Sequence, residues 1–493
     1  MGRPGETLGA TVIGLEVHAQ LLTRSKMYCG CSARYADAAP NRHVCQVCGG
    51  FPGALPVLNR AAIESGILTG IALSCEIPGF CKLDRKNYVY PDLPKGYQIS
   101  QYDLPLCVGG SLSFVTGGEE RRAGITRVHV EEDTGRLLHR LDDQGRDVSL
   151  VDLNRSGVPL MEIVGEPDLR SPAEARDYLI ALRQILRYIG VSTGNMEEGA
   201  FRCDANVSIR DADGALGTKV EIKNMNSFSA VFRALRYEAE RQRALLDAGQ
   251  PIEQETRGWV ESRGVTAAQR TKEQAHDYRY FPEPDLPPLV VSPEMVREIQ
   301  RRLPELPAVR RQRLAARYGL DPETVILLTS EREIADLFEE TVGVDGDAAA
   351  VRIAANWIAN DLLGLQRARG LPAEQLPLNA PQLRDLLGAV ASGELTARAA
   401  KEVLPRVMAG DMPRAVAARL NLLALDDDSA VREAVAETLV AFPAAVADYQ
   451  AGKKAAIGRL IGETIKRTGG RAKPEQVRRL IEESLDGASE GDP

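Results

Sequence analysis

The sequence predicts an α+β fold: a sheet-rich first half followed by an all-α remainder. Three observations predict it. Strand-like segments of period two recur up to about Leu289. A proline-rich stretch, Pro282, Pro284, Pro287, Pro288 and Pro293, then punctuates the chain. Beyond it almost every segment has helical period and is rich in Ala, Leu, Arg and Glu. At roughly 100–200 residues per domain, a chain of 493 residues holds two to four domains. The expected division is 1–292, 293–405 and 406–485, with 486–493 a frayed tail.

The hydrophobic fraction of 44% is enough for a substantial core, and the 26% of charged residues belongs to a globular chain, not a disordered one. A net charge of −8 does not advertise nucleic-acid binding, so such a role needs a local basic patch. No run of 18 apolar residues occurs, so no membrane span is expected. Met1 to Gly14 lacks a signal-peptide design, and the expected compartment is the cytoplasm.

Taken in order, the first strand is Gly14–Leu21. Its period of two puts Glu16, His18 and Gln20 on one face and Leu15, Val17 and Leu21 on the other. Next come Cys29-Gly30-Cys31 and Cys45-Gln46-Val47-Cys48. Two close thiol pairs, each with a nearby glycine, can fold around one tetrahedral zinc. Four protein ligands leave no open position, which makes the metal structural. The remaining cysteines, Cys75, Cys81, Cys107 and Cys203, lack such spacing and read as core residues.

Val128–Asp133 places three acids, Glu131, Glu132 and Asp133, at a strand end, and Pro159–Val164 carries Glu162 inside an apolar strand. A helix follows at Ser171-Pro172-Ala173-Glu174, a capping box closed by Gly190. In Cys203–Arg210 the residues Asp204, Asn206, Ser208 and Arg210 share a face, as do Lys219, Glu221 and Lys223 in Thr218–Lys223. A second helix starts near Asn226 or Ser227 and ends at Gly249.

Each polar face alone is compatible with a solvated sheet surface. Glu162 argues otherwise, because an acid in an apolar strand is costly to bury without a cation or donor. If the strands share one sheet, their polar faces line a cavity with carboxylates, two lysines and an arginine. Hard oxygen ligands of that kind suit magnesium, and magnesium with nearby cations suits phosphoryl transfer. No G-x-x-x-x-G-K-[ST] loop occurs, so an ATP site would not be of the P-loop kind. Between Gly452 and Pro474 seven basic residues, Lys453, Lys454, Arg459, Lys466, Arg467, Arg471 and Lys473, face the single acid Glu463, a net of +6. They read as phosphate contacts to a nucleic acid or as an ordinary solvated helix face.

Long ordered stretches of the chain resemble the B subunit of the aspartyl/glutamyl-tRNA amidotransferases. They include Gly14–Leu21, the cysteine cluster, Phe51–Asn59, Arg85–Gln101, His129–Gly135, Asp152–Gly157, Phe201–Ser208 and Ala275–Leu289. The resemblance covers the first 290 residues and continues more loosely to about residue 485. Gln46, where the family often has Pro, and the segment Gln269–Gln274 depart from the pattern.

The resemblance implies a cradle similar to glutamine synthetase and the guanidino kinases, then a helical domain, then a small helical tail domain that grips tRNA. It implies an ATP-dependent activity: phosphorylation of the side-chain carboxylate of Glu-tRNA(Gln) or Asp-tRNA(Asn), then displacement of phosphate by ammonia. It implies magnesium ligands at Glu16, His18, Glu131, Glu132, Glu162 and Asp204. His18, an unusual partner for a hard cation, is open to binding substrate or ammonia instead. Candidate ATP- and substrate-binding residues are Lys95, Tyr88, Tyr90, Arg155, Arg202, Asn206, Ser208, Lys219, Glu221 and Lys223. No glutaminase constellation is present in the sequence, so ammonia requires a partner; the resemblance names an amidase-like A subunit and a small C subunit. Two readings compete: another carboxylate–amine ligase of glutamine-synthetase type, without need of the basic tail, and a non-catalytic tRNA-binding scaffold, without need of the strand-borne acids.

Overall fold

The computed structural model describes residues 9–211, 214–271, 277–343, 346–371, 373–425 and 427–486. The chain forms two compact units, Met1–Pro307 and Ala308–Pro493. His276, the second half of the Gln269–Gln274 segment and the tail beyond Asp486 lie outside the described residues.

Among the described residues of the first unit, nine strands make one sheet. Its order is Val265–Thr271, Glu255–Val260, Val220–Lys223, Phe201–Ile209, Thr11–Gln20, Pro159–Gly165, Glu119–Glu132 and Cys107–Val108, with Ser111–Thr116 also paired to Glu119–Glu132. All pairings are antiparallel except that of Val220–Lys223 with Glu255–Val260. The central strand Thr11–Gln20 alternates as the sequence predicts: Leu15, Val17 and Ala19 are buried, while Glu16, His18 and Gln20 are half-buried on the other side.

The apolar face lies in one core with the helices Arg60–Ala72, Pro172–Tyr188 and Phe228–Asp247. Ser171 and Ser227 cap the latter two, accepting from Glu174 N–H and Ala230 N–H. The Glu174 carboxylate does not return to the Ser171 N–H as a capping box would. It accepts the Arg170 N–H at 2.7 Å, one residue earlier. On the polar side a small sheet of Phe281–Pro282, Asp84–Asn87 and Tyr97–Ser100 packs against the end of Glu119–Glu132. The hairpin Arg136–Leu141/Asp147–Asp152 stands as a separate ribbon.

The proline-rich stretch belongs to this unit and does not end it. Phe281–Pro282 and Leu289–Val290 pair with Asp84–Asn87 and Phe80–Cys81, and the buried Glu283 forms a two-point ion pair with Arg85 at 2.7 and 2.9 Å. Ile299, on the helix Pro293–Gln300, joins the same core.

Among its described residues the second unit is helical, from Pro307–Tyr318 to Pro474–Asp486. It contains two apolar cores. One runs from Leu314 to Leu422 and the other from Val431 to Leu485. One helix passes through a π-helical turn at Trp357–Leu362. No described helix is long and apolar enough to cross a membrane.

Candidate active site and cysteine cluster

Register brings the polar residues together. Across the sheet, His129 pairs with Glu162, Glu162 with His18, and His18 with Arg202, so four strands contribute one transverse row. Beside it, Glu16 stands opposite Asp204, and one step further Asn206 stands opposite Glu221. Strand pleat alone places these side chains on the face away from the helices.

The distances within the row are short. His18 Nε2 lies 3.3 Å from Glu162 Oε2 and 3.8 Å from Glu131 Oε1, and His129 Nε2 lies 3.2 Å from Glu162 Oε2. Ser100 donates to Glu131 at 2.9 Å. One ligand atom each from His18, Glu131 and Glu162 falls within 4.8 Å of the others, close enough for one cation. Burial works to raise the Glu162 carboxyl, but His129 and His18 together hold it well below the usual range. Burial works to lower His18, and Glu162 and Glu131 outweigh it, so the imidazole is raised. Glu16 is raised, first by burial and then by Glu162, Glu221 and Asp204. Such crowding of acids is relieved by a bound cation, which is what the donor set fits.

Above the row is a cavity of about 360 Å³ lined by His18, Lys86, Tyr88, Glu131, Arg202 and Asp204, among others. Lys223 also lines it and is ion-paired to Asp204 and, at 3.1 Å, to Glu221. Lys86 Nζ sits 4.9 Å over the Tyr278 ring; burial opposes its charge, and Glu131, Tyr280 and Glu162 sustain it. A second cavity of about 350 Å³ adjoins Glu16, with Gly14, Pro167, Asn206, Ser208, Leu216, Gly217 and Lys219 in its wall. Asn206 donates to Glu16 at 3.0 Å.

Several of the residues singled out in the sequence fall elsewhere. Glu132 turns from the row: it is ion-paired to Lys95 and accepts the Ile99 N–H at 3.0 Å. Lys95 is thereby occupied at Glu132, and Lys86 is the lysine of this segment that reaches the cavity. Tyr90 is exposed. Arg155 donates to the Thr134 and Gly135 carbonyls at 2.9 and 2.6 Å, bracing the loop that follows the acids. Lys219 precedes its strand and not, as expected, within it, and serves the second cavity. Lys86, His129 and Ser100 join the site without a signal of their own in the sequence, and Asp133 joins it as the third of the three consecutive acids.

The four cysteine sulfurs of Cys29, Cys31, Cys45 and Cys48 lie within 4.8 Å of one another, with Cys45 and Cys48 at 3.9 Å. Tetrahedral zinc with bonds of about 2.3 Å sets sulfurs about 3.8 Å apart, so the donor set fits that ion. Cys48 is drawn down to about 4, first by a hydrogen bond from Cys29 and further by the Cys45 N–H and Lys26, while Cys29 is pushed up. Lys26 is fully buried; its ammonium donates to the His43 carbonyl at 2.7 Å, the Leu153 carbonyl at 3.3 Å and Cys48 Sγ at 3.5 Å. Cys81, Cys107 and Cys203 are buried in the core, and Cys75 is half-buried.

In the second unit, several of the basic residues are engaged. Lys453 pairs with Asp448 at 2.9 Å and Arg467 with Glu437 at 2.9 Å, and Arg471 donates to Asn421 and the Thr468 carbonyl. Arg459 lies over the Phe442 ring at 5.3 Å. Lys454 and Lys466 are exposed, without an ion-pair partner among the described residues, and Lys473 is half-buried.

An antiparallel sheet that turns carboxylates, imidazoles and cations into one cavity, beside a four-cysteine knot, defines the class: a sheet-built catalytic unit joined to helical bundles. The chain belongs to the GatB/GatE family. Residues 11–297 match the GatB/GatE catalytic domain and residues 336–485 the GatB domain. The chain is similar to the B subunit of the aspartyl/glutamyl-tRNA(Asn/Gln) amidotransferase of Thermomicrobium roseum, 56% identical over 477 residues, 96% of this chain and 98% of that one. It is also similar to the proteins of that name from Moorella thermoacetica, 52% identical over 476 residues, and Dehalococcoides mccartyi, 49% identical over 485 residues. These cover 96% and 97% of this chain and 99% of each relative.

Proposed function

We propose that this chain is the carboxylate-activating subunit of a tRNA-dependent amidotransferase, making Gln-tRNA(Gln) or Asn-tRNA(Asn) from the Glu or Asp precursors. The observation that carries the reading is the row His129–Glu162–His18–Arg202 with Glu131 beside it, an anionic ligand group next to fixed cations. A carboxylate resists an amine at neutral pH, so it must first become an acyl phosphate. The substrate's side-chain oxygen attacks the γ-phosphorus of ATP, and ADP leaves. Ammonia then adds to the acyl carbon, phosphate leaves, and nitrogen gives up a proton. Arg202, Lys86 and Lys223 stand where they can hold phosphate oxygens as charge develops. As an alternative to holding a metal, His18, beside two carboxylates, would orient the substrate or accept the amine proton.

Magnesium, when held by His18, Glu131 and Glu162, would neutralise phosphate charge; Glu16 and Asp204 suit a second position nearby. The more apolar cavity along Glu16, Asn206, Ser208 and Lys219 would take the nucleoside of ATP. Zinc would close the cysteine cluster as a structural ion. Functionally, the first unit would correspond to a cradle like that of glutamine synthetase, the core from Leu314 to Leu422 to a helical domain, and the core from Val431 to Leu485 to a tRNA-gripping tail. Ammonia would come from an amidase-like A subunit assisted by a small C subunit, in the cytoplasm where translation runs.

The test is to trap the intermediate. Assembled complex, Glu-tRNA(Gln) and ATP are incubated with hydroxylamine and without glutamine. Glutamyl hydroxamate on tRNA, with one ADP per hydroxamate, is the expected product. Hydroxamate formed without tRNA, from free glutamate, would favour an ordinary carboxylate–amine ligase, and tRNA binding without ADP formation a scaffold.

A further inference from the structure

Arg202 reaches the cavity from the Phe201–Ile209 strand on a long, flexible side chain, so something must aim it. Asp133 does: its Oδ2 lies 2.8 Å from Arg202 Nη2 and 3.7 Å from Arg155 Nε. Asp133 is buried between the Arg202 and Arg155 guanidinium groups. Its own orientation is set on both oxygens, since Oδ1 accepts the Thr134 N–H at 2.9 Å and Oδ2 accepts Gln20 Nε2 at 2.8 Å.

Gln20 depends in turn on Tyr35. An ionised carboxylate accepts only, so the Gln20 amide must present its nitrogen to Asp133. The Tyr35 hydroxyl lies 3.1 Å from Gln20 Oε1 and 3.0 Å from Nε2, and donation to Oε1 holds the amide in that orientation. Tyr35 is carried on the loop between the two cysteine pairs. The same loop is tied down by the Asn41 N–H on Asp152 at 3.0 Å, the His43 N–H on Asn154 at 2.8 Å, and Asn154 Nδ2 on the Ala39 carbonyl at 2.8 Å.

We infer that Tyr35 is a positioning residue, which fixes Arg202 in the catalytic cavity through Gln20 and Asp133. The cysteine knot therefore does more than stabilise its own corner: the loop it anchors leads through two hydrogen bonds and an ion pair to a phosphate-facing cation. The inference rests on the phosphoryl-transfer reading above.

The test compares Tyr35→Phe, Arg202→Lys and the double variant in the assembled complex. It measures tRNA-dependent ATP hydrolysis, bound zinc and melting temperature. Tyr35→Phe should lower kcat/KM for ATP by roughly three- to tenfold, about the worth of one hydrogen bond, with zinc content and melting temperature close to wild type. Because both changes act on one guanidinium, the double variant should be no worse than Arg202→Lys. An unchanged kcat/KM in Tyr35→Phe beside an impaired Arg202→Lys, or strictly additive losses, would overturn the inference. Zinc loss from Tyr35→Phe would do so too, since the hydroxyl would then serve only the loop. An unimpaired Arg202→Lys would instead overturn the catalytic reading on which it rests.

Discussion

Glu131 and Glu132 are neighbours in the chain with different tasks: Glu131 stands 3.8 Å from His18 in the cavity, whereas Glu132 is paired with Lys95 away from it. The two carboxylates should therefore fail differently when neutralised. Glu131→Gln should cut tRNA-dependent ATP hydrolysis by roughly a hundredfold or more, the scale of losing one electrostatic stabiliser, with little change in melting temperature. Glu132→Gln leaves the nearly buried Lys95 without its counter-charge and should cost about 3–5 kcal/mol of stability. Paired melting curves and hydrolysis rates check this, and equal losses in both readouts for both variants would contradict it.

The cysteine cluster should hold one zinc per chain. Cys45→Ser removes one of its four ligands and should release the metal and lower the melting temperature of the first unit. Metal analysis beside calorimetry tests it. Wild-type protein that is metal-free and equally stable would refute the assignment.

The basic stretch should grip tRNA through only part of its charge. Arg459 and Lys466 lie seven residues apart on the exposed face of the helix Ile457–Arg467, and Lys454 precedes it. Alanine at all three should weaken aminoacyl-tRNA binding and flatten its salt dependence by about one unit of log–log slope per lost contact, with kcat unchanged. Lys453→Ala and Arg467→Ala, whose charges already face Asp448 and Glu437, should do less. Truncation after Tyr449 is a poorer test, because Leu460, Val477, Leu480 and Ile481 build the core that the cut would open.

Acid should expose the Glu339 network. Burial works to raise this carboxyl, but Arg313 and Arg310, at 2.5 Å each, hold it below its ordinary value. A depressed carboxyl contributes stability above its unfolded pKa and loses it as pH falls through the folded value. Glu339→Gln should therefore destabilise by roughly 1–3 kcal/mol at pH 7. That gap should begin to close below about pH 4.5, which melting curves across pH 7 to 3 would follow. A gap that stays constant to pH 3 would disprove the linkage.

How much of this was legible in the sequence depends on which physical signal each residue carried. Period-two strands expose their faces directly, so Glu16, His18, Asp204 and Asn206 could be grouped from the sequence alone. The cysteine pairs were equally plain, because spacing is the chemistry there. Lys95 and Lys86 were not separable: both sit in one polar, aromatic segment, and only the pairing of Asp84–Asn87 with Tyr97–Ser100 decides which ammonium meets the cavity. The pairing of Glu132 was hidden for a related reason, since its partner Lys95 comes from a segment 37 residues away. The prolines give a weaker signal, since they often mark a boundary, whereas here they lie at two short strand pairings and a buried acid.

Lys26 sets the charge balance of the cysteine corner. Its ammonium is enclosed by two carbonyls and one cysteine sulfur. Enclosing a cation without nearby negative charge would cost several kcal/mol. Sulfurs that bind a metal stay deprotonated and keep that charge in place, so metal loading would stabilise this corner. If the cluster takes zinc as proposed above, chains deprived of the metal would leave this corner unfinished, and whatever depends on the first unit would fall with them.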